Sequence, residues 1–127
     1  MQNLNRIKNL INSEYHYFLG RHNDWSLLSG PKNNELVAHA LRVILHAGET
    51  KKFKDEWMSV VQNQHADGGW GAESGNAESA AWVSAFLALM LIRGNVVLKD
   101  PQITCALEKS IDYFLKNQKD AQAEGHD

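Results

Sequence analysis

The chain has 127 residues, with 13 Lys+Arg against 15 Asp+Glu, six His and a formal net charge of −2. That length holds one domain with a real core, and the charge balance excludes a generally basic nucleic-acid binder. At 43% hydrophobic and 22% charged, the composition is that of neither a disordered chain nor a membrane protein. Cys105 stands alone, so no internal disulfide can form and a cysteine-based zinc site is not expected.

Helical periodicity dominates and no strand signal emerges, so the expected class is all-α. The first helix is expected over residues 4–19. Its apolar residues Leu4, Ile7, Leu10, Ile11 and Phe18 are spaced as in an amphipathic helix, not run together as in a secretion signal. Gly20 suits a left-handed stop. The second helix is expected over 34–47, with Asn33 or Asn34 as cap and Gly48 as stop. The third covers 51–64 and turns Phe53, Trp57, Val60 and Val61 inward. The fourth covers 77–93, capped by Asn76 and closed by Gly94. Its apolar run falls short of the roughly 20 residues a membrane span needs, so it reads as a buried helix. The fifth begins at Asp100-Pro101, a cap followed by proline in the first turn, and buries Ile103, Leu107, Ile111 and Phe114. The tail, 119–127, has no large apolar side chain and is expected to fray. The absence of a secretion signal together with a single thiol points to the cytoplasm.

The chain also repeats itself. The segment from Leu36 to Gly48 aligns with Trp82 to Gly94 at an offset of 46. Before it, His22-Asn-Asp-Trp25 matches His65-Ala-Asp-Gly-Gly-Trp70 with a two-residue insertion, and Phe114-Leu-Lys-Asn-Gln118 echoes Val60-Val-Gln-Asn-Gln64. One domain over 1–118 therefore divides into a hairpin at about 4–48, a second at about 51–94 and an extra helix at about 100–118. A single hairpin cannot bury its own apolar faces, so neighbours must stack.

The most specific local feature is Gln62-Asn-Gln-His-Ala-Asp-Gly-Gly-Trp-Gly71, following an amphipathic helix. It resembles the QW repeat of the terpenoid cyclase and protein prenyltransferase α/α-toroid superfamily, with Gln64, Asp67, Gly68, Gly69 and Trp70 supplying the pattern. The physical role of such a motif is structural: Gln64 can donate to exposed helix carbonyls, the glycines permit positive φ, and Asp67 can cap the turn. The first repeat is degenerate, with Arg21 in place of the Gln and Asp24-Trp25-Ser26 lacking the glycines. The resemblance implies stacked hairpins of a partial toroid. It transfers no catalytic residue, because the Asp-x-Asp-Asp run of the cyclases and the Asp, Cys and His zinc set of the prenyltransferases are both missing.

Two groups of residues could carry chemistry. Glu35, His39, Arg42 and His46 lie within about 60° of one helix face. This stripe is either a solvated surface or the polar wall of a cavity, where Glu35 and His39 would act as an acid/base pair and Arg42 and His46 would meet the ligand. Trp82, Phe86 and Met90 recur at helical spacing, with Trp57 and Trp70 expected nearby. They are either plain core or the lining of an apolar pocket in which Glu78, desolvated beside tryptophans, would donate a proton. No metal or other cofactor is expected. Two function classes follow. One is a small cyclase- or transferase-type enzyme for an isoprenoid-like or other apolar substrate. The other is a non-catalytic assembly module. Because so few hairpins leave apolar faces open, the expected partner is a second copy or a larger protein, with neither nucleic acid nor a membrane span involved.

Overall fold

The structure is a computed structural model that describes residues 2–21, 33–73, 75 and 78–123. The loop of the first repeat around Asp24 and Trp25, the proposed cap Asn76 and residues 124–127 lie outside the described residues. Among the described residues five helices follow in order: α1 (Gln2–Gly20), α2 (Asn34–His46), α3 (Lys54–Gln62), α4 (Ala81–Leu98) and α5 (Pro101–Ala123). The class is all-α, as the periodicity predicts. Helix α1 packs on α2, α2 on α4, and α3, α4 and α5 on one another. Helix α4 is therefore the central element, touching all but α1 among these partners.

The ends of the helices explain where the chain departs from its sequence pattern. Asn33 caps α2, its side-chain oxygen accepting from the Leu36 N–H at 3.0 Å. Helix α3 is shorter than expected, because residues 51–53 form a turn in which Phe53 is buried. Helix α4 begins later than expected, at Ala81, and does not stop at Gly94. It continues to Leu98 and ends where Lys99 turns left-handed with φ 51°. The side chain of Asn95 closes that end by accepting from the Asp100 N–H at 2.7 Å. Asp100 in turn caps α5, accepting from the Gln102 N–H at 2.8 Å, and pairs with Lys54 of α3 at 3.2 Å. Helix α5 runs on to Ala123, past the expected fraying point at 118. Lys, Ala and Gln in that stretch are good helix formers and nothing there breaks a helix.

The core is built from Leu41 and Ile44 of α2, Trp57 and Val60 of α3, Trp70, Leu87, Met90 and Leu91 of α4 and its approach, and Ile103 and Ala106 of α5. Gly94 sits in mid-helix because Trp57 lies on it. A Cβ there would collide with the indole nitrogen, which instead donates to the Met90 carbonyl at 3.2 Å. The buried face of α5 is rotated from expectation: Ala106, Ser110 and Tyr113 are buried, while Ile111 is exposed. Small side chains at 106 and 110 let the turn before Trp70 approach the α5 backbone. On α1, Leu19 is buried, but Leu4, Ile7, Leu10 and Ile11 are exposed.

Candidate functional site

Among the described residues, the turn from Gln64 to Trp70 is densely hydrogen-bonded. Gln64 Nε2 donates both to the Gly68 carbonyl (3.0 Å) and to the Ala106 carbonyl of α5 (2.8 Å). Gly68 adopts φ 93°, and a Cβ on it would strike the Lys109 carbonyl, so only glycine fits the position on both counts. Trp70 is fully buried. Its Nε1 donates to the Val60 carbonyl at 2.9 Å, satisfying one of the last carbonyls of α3. Its backbone N–H donates to Ser84 Oγ at 2.8 Å, and that hydroxyl donates back to the Trp70 carbonyl at 3.1 Å. The loop then reaches α2: the buried Asn34 donates from its side chain to the Gly71 carbonyl and from its backbone to that of Ala72. One turn thus joins α2, α3, α4 and α5. Gln64→Ala removes both side-chain bonds to carbonyls and is expected to cost about 1–3 kcal/mol, read as a lower urea midpoint at unchanged slope.

A short polar chain edges this turn. Asp67 Oδ1 accepts from the Gly69 N–H at 2.9 Å and from Ser79 Oγ at 2.8 Å. His65 Nδ1 lies 2.9 Å from the same hydroxyl. Since that hydroxyl gives its proton to Asp67, the histidine nitrogen is the donor in the second pair. Partial burial pushes the Asp67 carboxyl up, but the Gly69 and Ser79 hydrogen bonds and the charges of His65 and Lys116 outweigh it and hold the group below its ordinary value. A carboxyl depressed on folding stabilises the fold above its unfolded value of about 3.9, and the gain is lost as pH falls through the folded value. Asp67→Asn, which keeps an acceptor but cannot ionise, is therefore expected to be less stable than the parent at neutral pH. The gap should close in strong acid, as urea midpoints at the two pH values would record.

The polar stripe on α2 lies in solvent. Glu35 and His39 approach to 3.9 Å with side chains 53% and 51% exposed, and Arg42 and His46 are exposed as well. His39 also meets Phe86 of α4 edge-on at 4.9 Å between ring centroids, and Phe86 meets Trp82 at 5.7 Å. His46 stacks on Tyr15 of α1 at 5.6 Å. Glu35, His39, Phe86 and Trp82 therefore form one surface chain across α2 and α4. Trp57 and Trp70 are instead in the core. Glu78 precedes α4, outside the helix, and is exposed. Among the described residues it makes no hydrogen bond or ion pair with this group. The aromatic stripe divides by depth: Met90 is buried, Phe86 half-buried and Trp82 60% exposed.

A cleft of about 310 Å³ between α3 and α5, lined by Val61, Gln64, Pro101, Gln102, Cys105, Ala106 and Lys109, was not foreseen from the sequence. Its existence depends on the rotation of α5, which no periodicity encodes. No group of three or more His, Cys, Asp or Glu side chains is placed to hold a metal among the described residues. The larger feature that periodicity missed is an apolar surface on α4. Trp82, Leu89, Ile92 and Val96 are all exposed, the last by 71%, and Ala85 lies between them, also exposed. Helix α4 is long and apolar enough to cross a membrane by length and composition, with mean hydropathy 1.8 and 39% of it buried. Its other side is the centre of the core. Set against family models, curated proteins and solved structures, the chain matches none of them.

Proposed function

We propose that the chain is a non-catalytic assembly module, a short array of α/α-toroid-type hairpins whose exposed α4 face docks a further helical unit. The observation that carries this reading is the row Trp82, Ala85, Leu89, Ile92 and Val96, left in solvent on the helix that anchors the core. Exposed apolar patches of this extent on soluble domains mark interaction surfaces. The repeat supports it as well. His39 of α2 touches α4 at Phe86, and its counterpart 46 residues on is Ala85, within the open row. Among the described residues, no helix takes beside this row of α4 the place that α4 takes beside α2.

The test is photocrosslinking from position 89 in cells that produce the full chain, with position 35 on the solvated stripe of α2 as control. A discrete adduct from 89 and none from 35 is expected. No adduct from 89, or the same adducts from both positions, would sink the reading.

A second reading, an enzyme or binding protein for an isoprenoid-like apolar substrate, draws support from the contact of His39 with Phe86 beside Glu35 and from the resemblance of the Gln64–Trp70 turn. It predicts that an apolar ligand added to the protein shifts the His39 ring signals in NMR and that His39→Ala abolishes binding. Unperturbed His39 signals across a panel of prenyl alcohols would count against it.

A further inference from the structure

The open row on α4 has a spacing that specifies its occupant more closely. Trp82, Ala85, Leu89, Ile92 and Val96 follow at intervals of three, four, three and four. That alternation is the seam of a helix that packs lengthwise on another helix. It extends for about 21 Å at 1.5 Å per residue. No charged side chain interrupts it, and Arg93 stands at its margin. Helix α5 continues the surface. Asn95 of α4 donates to Thr104 of α5 at 3.2 Å, and the exposed Ile111 and Leu115 lie seven and eleven residues on from Thr104, along the same edge.

We infer that the occupant is a second copy of this chain, related by a twofold axis beside Leu89, so that α4 and α5 of both copies form an antiparallel four-helix arrangement. This rests on the assembly reading above and names its partner. An isologous contact requires a surface complementary to itself, and this row meets that requirement. With Leu89 on the axis and meeting its own copy, Trp82 faces the partner's Val96, and the small Ala85 is level with the partner's Arg93 and within one residue's rise of the partner's Ile92. An uncharged seam brings no like charges together on the axis. Trp82, Leu89, Ile92 and Val96 of α4 and Ile111 and Leu115 of α5 are each between 43% and 71% exposed, an area on the order of 600 Å² per copy if all of it were covered, at the lower edge of specific interfaces. The expected dimer is accordingly a reversible one that dissociates on dilution. The exposed face of α1 is a poorer occupant, since its apolar row of Leu4, Ile7 and Ile11 meets Glu14 after two turns.

The experiment combines sedimentation velocity with directed disulfide formation. The unmodified chain is expected to sediment as a dimer at about 100 µM and to dissociate on dilution. Leu89→Glu is expected to be monomeric with unchanged helical circular dichroism. Should that variant lose helicity, Ala85→Arg, at a small exposed position, serves instead. In a Cys105→Ser background, Leu89→Cys is expected to form a covalent dimer on mild oxidation, because the axis brings the two thiols together, while Ile7→Cys is not. A monomer at about 100 µM, or cross-linking through position 7 but not 89, overturns the inference. A monomer that still yields an adduct with a different protein from position 89 overturns the second copy and leaves the assembly module standing. A monomer that floats with phosphatidylcholine vesicles and yields no protein adduct overturns both.

Discussion

Trp70→Ala is expected to destabilise the protein by about 3–5 kcal/mol, the range for deleting a fully buried tryptophan. The side chain is completely enclosed, and its indole N–H is bonded to the Val60 carbonyl. Removing it opens a cavity and takes from the Val60 carbonyl one of its two donors, the other being the Asn63 N–H at 3.2 Å. The surroundings have little freedom to collapse into the space. Gln64 and Gly68 fix the preceding turn to α5, and Ser84 fixes the Trp70 backbone to α4. Trp70→Phe separates the two contributions. It keeps most of the ring volume, loses the hydrogen bond, and should cost only about 1–3 kcal/mol. Urea denaturation followed by circular dichroism measures both. A loss below about 1 kcal/mol for Trp70→Ala would mean that the turn does not hold the helices together as described.

Gly94→Ala carries the second large effect, and its sign is the informative part. At a solvent-facing position in mid-helix, the change should stabilise the protein by up to about 1 kcal/mol through helix propensity. Here the added methyl would run into the buried Trp57 indole. Forcing an extra carbon into a filled core costs about 1–3 kcal/mol and sometimes more. Trp57 of α3 is held by its bond to the Met90 carbonyl of α4, so it cannot swing away without giving up that bond. The cost wins, and a net loss of about 2 kcal/mol is expected. Combining Gly94→Ala with Trp57→Phe should recover part of that loss, since the smaller ring vacates the contested space. A double-mutant cycle with a coupling of about 1 kcal/mol or more is the expected readout. Additive losses would place the tryptophan elsewhere.

These two sites also show how far the sequence could be read. Trp70 lies in a pattern whose residue types announce their purpose: a glutamine at a helix end, an aspartate, two glycines and an indole. Gln64 and Asp67 hydrogen-bond the backbone and Gly68 takes a positive φ, but Gln64 reaches the Gly68 turn and the middle of α5 instead of exposed carbonyls at a helix end. Gly94 is the opposite case. A glycine after a long apolar run reads as a helix stop, but in the structure it is the point where two helices touch, and the helix continues. Only the distant Trp57 gives it that role, and no local pattern encodes such a partner. The same limit applies to α5. Ile103, Leu107, Ile111 and Phe114 form a plausible inward stripe, yet close approach of the Gly68 turn favours small residues at the interface and rotates Ile111 to the surface. The polar stripe of Glu35, His39, Arg42 and His46 was legible as a stripe. Its surroundings were not, because the contact of His39 with Phe86 depends on how α2 lies beside α4.

The most direct test of the assembly module asks whether the α4 row is covered when the protein is at its native level. In a Cys105→Ser background, Ile92→Cys places a thiol within the row, and its reaction with a membrane-permeant maleimide can be followed inside the producing cells, where no dilution dissociates a weak contact. If the row is a docking surface, labelling should be slowed by about tenfold or more relative to the same variant after denaturation, as mass action requires for a site mostly occupied. Labelling at the rate of the denatured thiol would show a bare surface and contradict the account.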